Sequence, residues 1–308
     1  MKKYYFLLIN LIIAFALRVG VNNAEMLSVL LGVSIIPAVW FLVKVISKDK
    51  SSLLLANISS LFISLSPWII PFVKYDWRVN FYLLLSVVAF IICIYFYQKL
   101  ALDKYFKREI ILLILALSFC LLIFFVIKNG PIQTQVPIWI TDEQRREHGD
   151  FESPFVVLIH NKVINYSLSF FEHYFKHFSG EYLFVTGDTN QQIRVKDFGQ
   201  MYLVDALFII VGFFVIFRNL KYWKAILLLL IFSPLLSALD LQPPNAVRSQ
   251  LMVIPLSIIS ALGAINIFYY LHSKKGVLMQ YGLFALLGLL IIWDFGRFLH
   301  QLFFHMTI

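Results

Sequence analysis

The 308-residue chain is 60% hydrophobic, 17% aromatic and only 14% charged, with a mean hydropathy of +0.82. Soluble domains carry about twice that charged fraction, so a soluble enzyme or binding module is excluded and an all-α polytopic membrane protein is expected. The net charge of +9 sits in short Lys/Arg clusters between apolar runs, which is the pattern of topology-setting loops and not of a nucleic-acid surface.

Apolar runs of about 20 residues can cross a bilayer. In chain order they fall near 4–17, 26–46, 52–73, 80–98, 109–127, 203–218, 221–239, 247–271 and 277–296, so about nine spans are expected. The first also has the form of a signal peptide, with Lys2 and Lys3, an apolar stretch and Ala14-Phe15-Ala16 as a cleavage site. No soluble domain follows it, so it is read as a helix; on either reading residue 20 emerges outside. Cys93 and Cys120 lie inside apolar runs and read as small core residues.

The cation clusters alternate along the chain. Lys44, Lys48 and Lys50 follow the second span, and Lys104, Lys107 and Arg108 the fourth. Arg218, Lys221 and Lys224 follow the sixth, and Lys274 and Lys275 the eighth. By the positive-inside rule these four loops are cytoplasmic, with the N-terminus in and the C-terminus out. The chain then divides into helices 1–128, an extracytoplasmic loop domain 129–202 of mixed structure, and helices 203–308.

That loop holds nine of the 17 acids and four of the seven histidines. Long loops without structure are uncommon unless functional, so chemistry is expected here. "PFVVLIHNKV" reads as a strand or a short apolar helix. "YSLSFFEHYFKHF" places Phe170, Phe171, Tyr174, Phe175 and Phe178 on one broad helical face, which suits a helix lying in the membrane interface.

His173 and His177 are spaced i, i+4, a geometry that suits a divalent metal. No HExxH pattern surrounds them, and hydrogen bonding to a lipid or sugar phosphate, or simple solvent exposure, is the simpler reading. Arg248, in the turn "DLQPPNAVRSQ", is either an interfacial anchor or a phosphate ligand whose guanidinium makes paired hydrogen bonds. Pro67 and Pro71 break the third span, and Asp76 and Arg78 emerge beyond them. Asp76 is a candidate general base or metal ligand, or the partner of Arg78 or Lys74. Asp205, at the outer start of the sixth span, needs a partner or water.

"LIHNKVINY", "HYFKHFSGEYLFVTGD", "GQMYLVDALFIIVGF" and "PPNAVRSQLMVIPLSIISALG" stand in the order and spacing of a branch of bacterial membrane glycosyltransferases. "LSVLLGVSIIPAVWFLVK" and "SLSPWIIPF" extend the resemblance over roughly residues 24–270. These enzymes are of the GT-C type, similar to the dolichyl-phosphate-mannose protein mannosyltransferase family. The resemblance implies a helical scaffold that binds a polyprenyl-phosphate sugar donor and transfers the sugar at the extracytoplasmic face. It implies that Arg248 contacts the donor phosphate, with Lys162, His173, His177, Asp188 and Asn245 as further substrate-binding candidates.

Two departures stand out. Asn245 replaces the family's histidine before Arg248. The long first external loop with its catalytic acid is reduced to "RVGVNNAE", whose one acid is Glu25, so the architecture is a truncated one. Asp76 and Glu25 are therefore the candidate catalytic bases. Three functions compete: a glycosyltransferase, a degenerate relative that binds lipid phosphate or a partner subunit, and a carrier or channel. The last needs polar residues along the bundle interior, and the sequence shows few.

Overall fold

The computed structural model describes residues 4–47, 52–99, 161–188, 193–218, 220–240, 243–273 and 277–305. Among these there is no strand. The α-helices are α1 (Tyr5–Val19), α2 (Met26–Ile46), α3 (Ser52–Leu65), α4 (Trp77–Lys99), α5 (Lys162–Lys176), α6 (Leu203–Arg218), α7 (Leu220–Phe232), α8 (Val253–Ser273) and α9 (Val277–His300). The expected fifth span and most of "PFVVLIHNKV" lie outside the described residues. The described part of the large loop is helical, not mixed: α5, a π turn at Glu181–Val185, and turns.

Among the described residues, four helices are long and apolar enough to cross a membrane: Met26–Ile46, Trp77–Tyr95, Gln250–Ser273 and Gln280–His305. Others are shorter than their apolar runs suggest. The run at 52–73 stays helical only to Leu65, and the run at 221–239 only to Phe232. In both places a serine and then a proline follow, at Ser66-Pro67 and Ser233-Pro234. A proline disfavours helical geometry at the residue before it and has no N–H to donate, so the helix ends there.

The helix ends gather in an alternating pattern. Glu25 at the start of α2 donates its backbone N–H to Val73 O, shortly before α4 (3.0 Å). Tyr202, just before α6, donates its hydroxyl to Leu65 O at the end of α3 (2.7 Å). The ring of Phe303, beyond α9, lies against Gly20 at the end of α1. These contacts bring the ends of α1, α3 and α9 and the starts of α2, α4 and α6 together at one face, here the loop face. Lys44 and Arg218, by contrast, occupy the last turns of α2 and α6, at the opposite face.

Small residues set the closest helix contact. A Cβ on Gly263 of α8 would collide with Phe208 O of α6, and one on Gly212 of α6 with Ile259 O of α8. Such glycines let two membrane helices approach backbone to backbone.

A buried polar seam joins α1 to α3 and α2 to α4. Asn10 Nδ2 donates to Ser60 Oγ (2.8 Å) and Asn57 O (3.1 Å), and Asn80 Nδ2 donates to Ser28 Oγ (2.9 Å). At its loop-face end lies Arg18, wholly buried. Its Nη1 donates to Ala14 O (3.2 Å) and Ser64 O (3.1 Å), and its Nη2 to Ile63 O (3.5 Å). The last carbonyls of a helix lack intrahelical partners and carry its partial negative charge. Arg18 caps the end of α3 in this way.

Candidate functional site

The loop face is organised around the turn that carries Arg248. Asn245 Oδ1 accepts from Arg248 N (3.1 Å), closing the turn locally. Ala246 is gripped from both sides: its N–H donates to Asp188 Oδ2 (2.6 Å), and its carbonyl accepts from Trp68 Nε1 (3.1 Å). Ser249 gives its hydroxyl proton to Asn245 O (2.6 Å), so Tyr182 is the donor in its 3.0 Å contact with Ser249 Oγ. Burial, reinforced by the nearby charge of Asp188, raises the Tyr182 hydroxyl well above its ordinary value and keeps it protonated.

The two histidines complete this frame. His177 Nδ1 lies 2.8 Å from His173 O, so that nitrogen carries the proton. Its Nε2 therefore accepts from Ser237 Oγ (2.6 Å), and Ser237 Oγ in turn accepts from Asn245 N (3.2 Å). Burial lowers the imidazole to about 4, so His177 is neutral near pH 7, as this network requires. His173 Nδ1 faces Ala238 O at 3.3 Å. Both ring nitrogens of His177 are thus committed to protein partners. Among the described residues no group of three or more His, Cys, Asp or Glu could hold a metal ion.

These contacts anchor α5 by its polar side. Asn161 caps the helix, its Oδ1 accepting from Ile164 N (2.9 Å), and Tyr174 Oη donates to Ile231 O of α7 (2.8 Å). His173 and His177 point toward the protein, whereas Leu168, Phe171 and Phe175 form an exposed apolar stripe on the other side. The aromatic residues are therefore split between two faces. Lys162 opens α5; its side chain lies outside the described residues.

Arg248 itself lines a cleft with Leu83 and Ser86 of α4, Phe232, Ser233 and Leu236 at the end of α7, and Gln250 and Leu251 leading into α8. About 320 Å³ of space not filled by protein atoms lies in the cleft, open solvent included. It is narrow, with room for about one water-sized sphere at its widest. Arg248 Nη1 lies 2.8 Å from Asp240 Oδ1, with each side chain 14% exposed. The contact is coulombic: Nη1 is buried without an aligned hydrogen bond, and so is the Oε1 of Gln250 in the same lining. A cation short of an aligned acceptor is an arrangement that an anion would complete, whereas Gln250 Oε1, itself an acceptor, needs a donor such as a hydroxyl.

Glu25 and Asp76 also come to the loop face, but neither lines this cleft. Asp76 Oδ1 accepts from Arg78 N (2.8 Å) and so caps α4. Glu25 is exposed at the start of α2. Ser86 stands nine residues beyond Trp77, so the cleft reaches roughly 14 Å along α4 from its start. Asn245 and Asp188 belong to the frame that holds the Arg248 turn.

Sequence reasoning did not single out Trp68, Tyr182, Ser237, Asp240 or Gln250. Only Asp240 carried a signal, an acid eight residues before an arginine across a Pro-Pro turn. Asp205 finds its partner in its own turn, accepting from Tyr202 N (3.2 Å). Asp294, unremarked in the sequence, accepts from Val204 N (3.1 Å) beside it and pairs with Arg297 (3.2 Å).

No protein-family model, no curated protein and no solved structure matches the chain.

Proposed function

We propose that this chain is a glycosyltransferase-like membrane protein of truncated GT-C architecture, which binds a polyprenyl-phosphate-linked sugar, or its lipid phosphate, at the extracytoplasmic face of a bacterial inner membrane. The observation that carries the reading is Arg248: it lines a cleft against α4 and α7, with a buried nitrogen that has no aligned acceptor. A phosphoryl group supplies paired oxygens for a guanidinium, and the narrow cleft between Leu83, Phe232, Leu236 and Leu251 must widen to admit it and the first carbons of a prenyl chain.

The test is binding of a farnesyl-phosphate sugar by the purified chain in lipid nanodiscs. Arg248→Ala removes charge-assisted hydrogen bonds worth about 1.5–3 kcal/mol, an affinity loss of tenfold or more. Unchanged binding leaves Arg248 as an interfacial anchor and ends the reading.

A second reading adds sugar transfer, with Asp76 or Glu25 as the base. What favours it is that both acids reach the same face as Arg248. What weighs against it is that the cleft lining holds no carboxylate. Asp76→Asn and Glu25→Gln should then abolish transfer and spare donor binding, since the loss belongs to the transition state. Transfer that survives both substitutions removes these acids from the mechanism. No transfer by the wild-type chain, with binding retained, leaves a binding protein or the partner of another subunit.

Orientation is tested separately. Glu181 is exposed in the large loop, so a cysteine at 181, in a chain without Cys93 and Cys120, should be labelled from outside intact cells. Labelling only after permeabilisation inverts the topology.

A further inference from the structure

We propose that Gln250 is a hydroxyl acceptor beside Arg248, so that the cleft takes a phosphodiester with a hydroxyl on the carbon next to its ester carbon, as in a lipid-linked sugar. The inference rests on reading the cleft as a lipid-phosphate site, and it assigns the part of the ligand that meets Gln250.

The two side chains reach the cleft from one short stretch of chain. Arg248 and Gln250 both line it, while Ser249 between them turns into the frame, its hydroxyl donating to Asn245 O and accepting from Tyr182. Those two bonds fix the backbone that carries both residues. Gln250 is only 4% exposed, and its Oε1 is buried with no hydrogen-bond partner. A buried amide carbonyl without a donor costs stability, and such exceptions are expected where a ligand binds. Ser233, across the cleft, does not relieve it: its hydroxyl proton goes to Leu229 O of α7.

A ligand must therefore offer opposite chemistry at two neighbouring points. Arg248 calls for an acceptor, and a phosphodiester oxygen is one. Gln250 Oε1 calls for a donor, and an ionised phosphodiester has no proton to give. The donor then belongs to the group esterified to the phosphate. A hydroxyl fits the space: its oxygen matches the one water-sized sphere that the cleft admits at its present width. In a sugar diester the hydroxyl next to the ester carbon is the 2-hydroxyl. A plain alkyl diester of the same charge satisfies Arg248 and leaves Gln250 unpaired.

The full chain in zwitterionic nanodiscs is titrated with farnesyl ethyl phosphate, farnesyl 2-hydroxyethyl phosphate and farnesyl-phosphoryl glucose. All three are monoanionic diesters, and the first two differ only by a hydroxyl. The wild type should bind the hydroxyethyl ester about fivefold tighter than the ethyl ester, the scale of one neutral hydrogen bond. Gln250→Met keeps the length of the side chain without the acceptor. It should erase that preference, weaken the glucosyl ester by a similar factor and leave the ethyl ester unchanged. No preference in the wild type, or one that survives in Gln250→Met, would overturn the inference alone. Loss of the ethyl ester as well in Gln250→Met would make the amide a positioning residue and overturn it too. Binding of none of the three, or undiminished binding by Arg248→Ala, would overturn the lipid-phosphate reading and this inference with it. Phosphatidylglycerol in the disc competing as well as the glucosyl ester would uphold the hydroxyl acceptor and assign its ligand to a membrane phospholipid.

Discussion

Arg18 and Arg248 stand at the same face of the bundle, yet they are handled in opposite ways. Arg18 is wholly buried and shows only carbonyl partners, two of them from the last turn of α3. Arg248 keeps 14% of its side chain exposed, faces a carboxylate and lines a cleft. Carbonyls at a helix end cannot be carried off or exchanged, so Arg18 is a permanent fastening. A misaligned carboxylate can be exchanged for another anion, so Arg248 is suited to binding. The difference between a structural and a ligand-binding arginine lies here in the partners, not in the residue.

The largest effect should come from breaking the fastening. Arg18→Ala leaves a cavity in the α1–α3 contact and strips Ser64 O of its guanidinium donor. The expected loss is roughly 3–5 kcal/mol, seen as a lower unfolding temperature in detergent. Arg18→Met restores most of the volume without the donors, so what it still loses measures the capping of α3. Equal stability of Arg18→Ala and wild type would make the arginine a passenger.

The frame on the Arg248 side has its own weak point, and it depends on pH. His177 has an ordinary value near 6.5 when unfolded and about 4 when folded. Above the unfolded value both states are neutral and the full stability is present. As pH falls from 6.5 toward 4 the unfolded chain takes up a proton that the folded one refuses, so stability is lost across that window. The loss approaches the order of 3 kcal/mol. His177→Gln should flatten this part of a stability-against-pH curve. An unchanged slope would show that another group titrates there.

Arg248→Ala sharpens the comparison from the other side. Affinity for a lipid phosphate should fall by about 1.5–3 kcal/mol, while stability changes far less than in Arg18→Ala. A stability loss as large as that of Arg18→Ala would make the two arginines equivalent and remove the contrast.

How much of this was legible beforehand follows from the range of each interaction. Apolar runs are local, so the helices were readable, and α2 lies at the expected 26–46. The break that ends α3 was read from Pro67, whereas the early end of α7, legible in the same way as Ser233-Pro234, was passed over by averaged hydropathy. Arg248 was singled out because an arginine at headgroup depth is unusual. Arg18 was not, because its partners are backbone carbonyls, which leave no mark in a sequence. The Trp68–Ala246 bond spans 178 positions, and Ser237 meets His177 across 60. Spacing rules reach a turn or two of helix and cannot supply such pairs.

The smallest expected effect tests whether the two arginines are independent. Trp68 follows the helix end that Arg18 caps, and its Nε1 holds Ala246, two residues before Arg248. Trp68→Phe keeps an aromatic ring against Tyr182 and removes the one hydrogen bond, a cost of about 1 kcal/mol in stability. If the bond transmits strain, lipid-phosphate affinity should also drop by a few-fold, and the Arg18→Met effect on that affinity should vanish in the Trp68→Phe background. A double-mutant cycle reads this directly: additive effects mean that the fastening and the cleft are separate devices sharing a face. A coupling of about 0.5 kcal/mol or more means that the end of α3 helps set the Arg248 turn. The buried, edge-on packing of Trp68 on Tyr182 and its fixed bond to Ala246 favour coupling, because neither residue has room to absorb a shift.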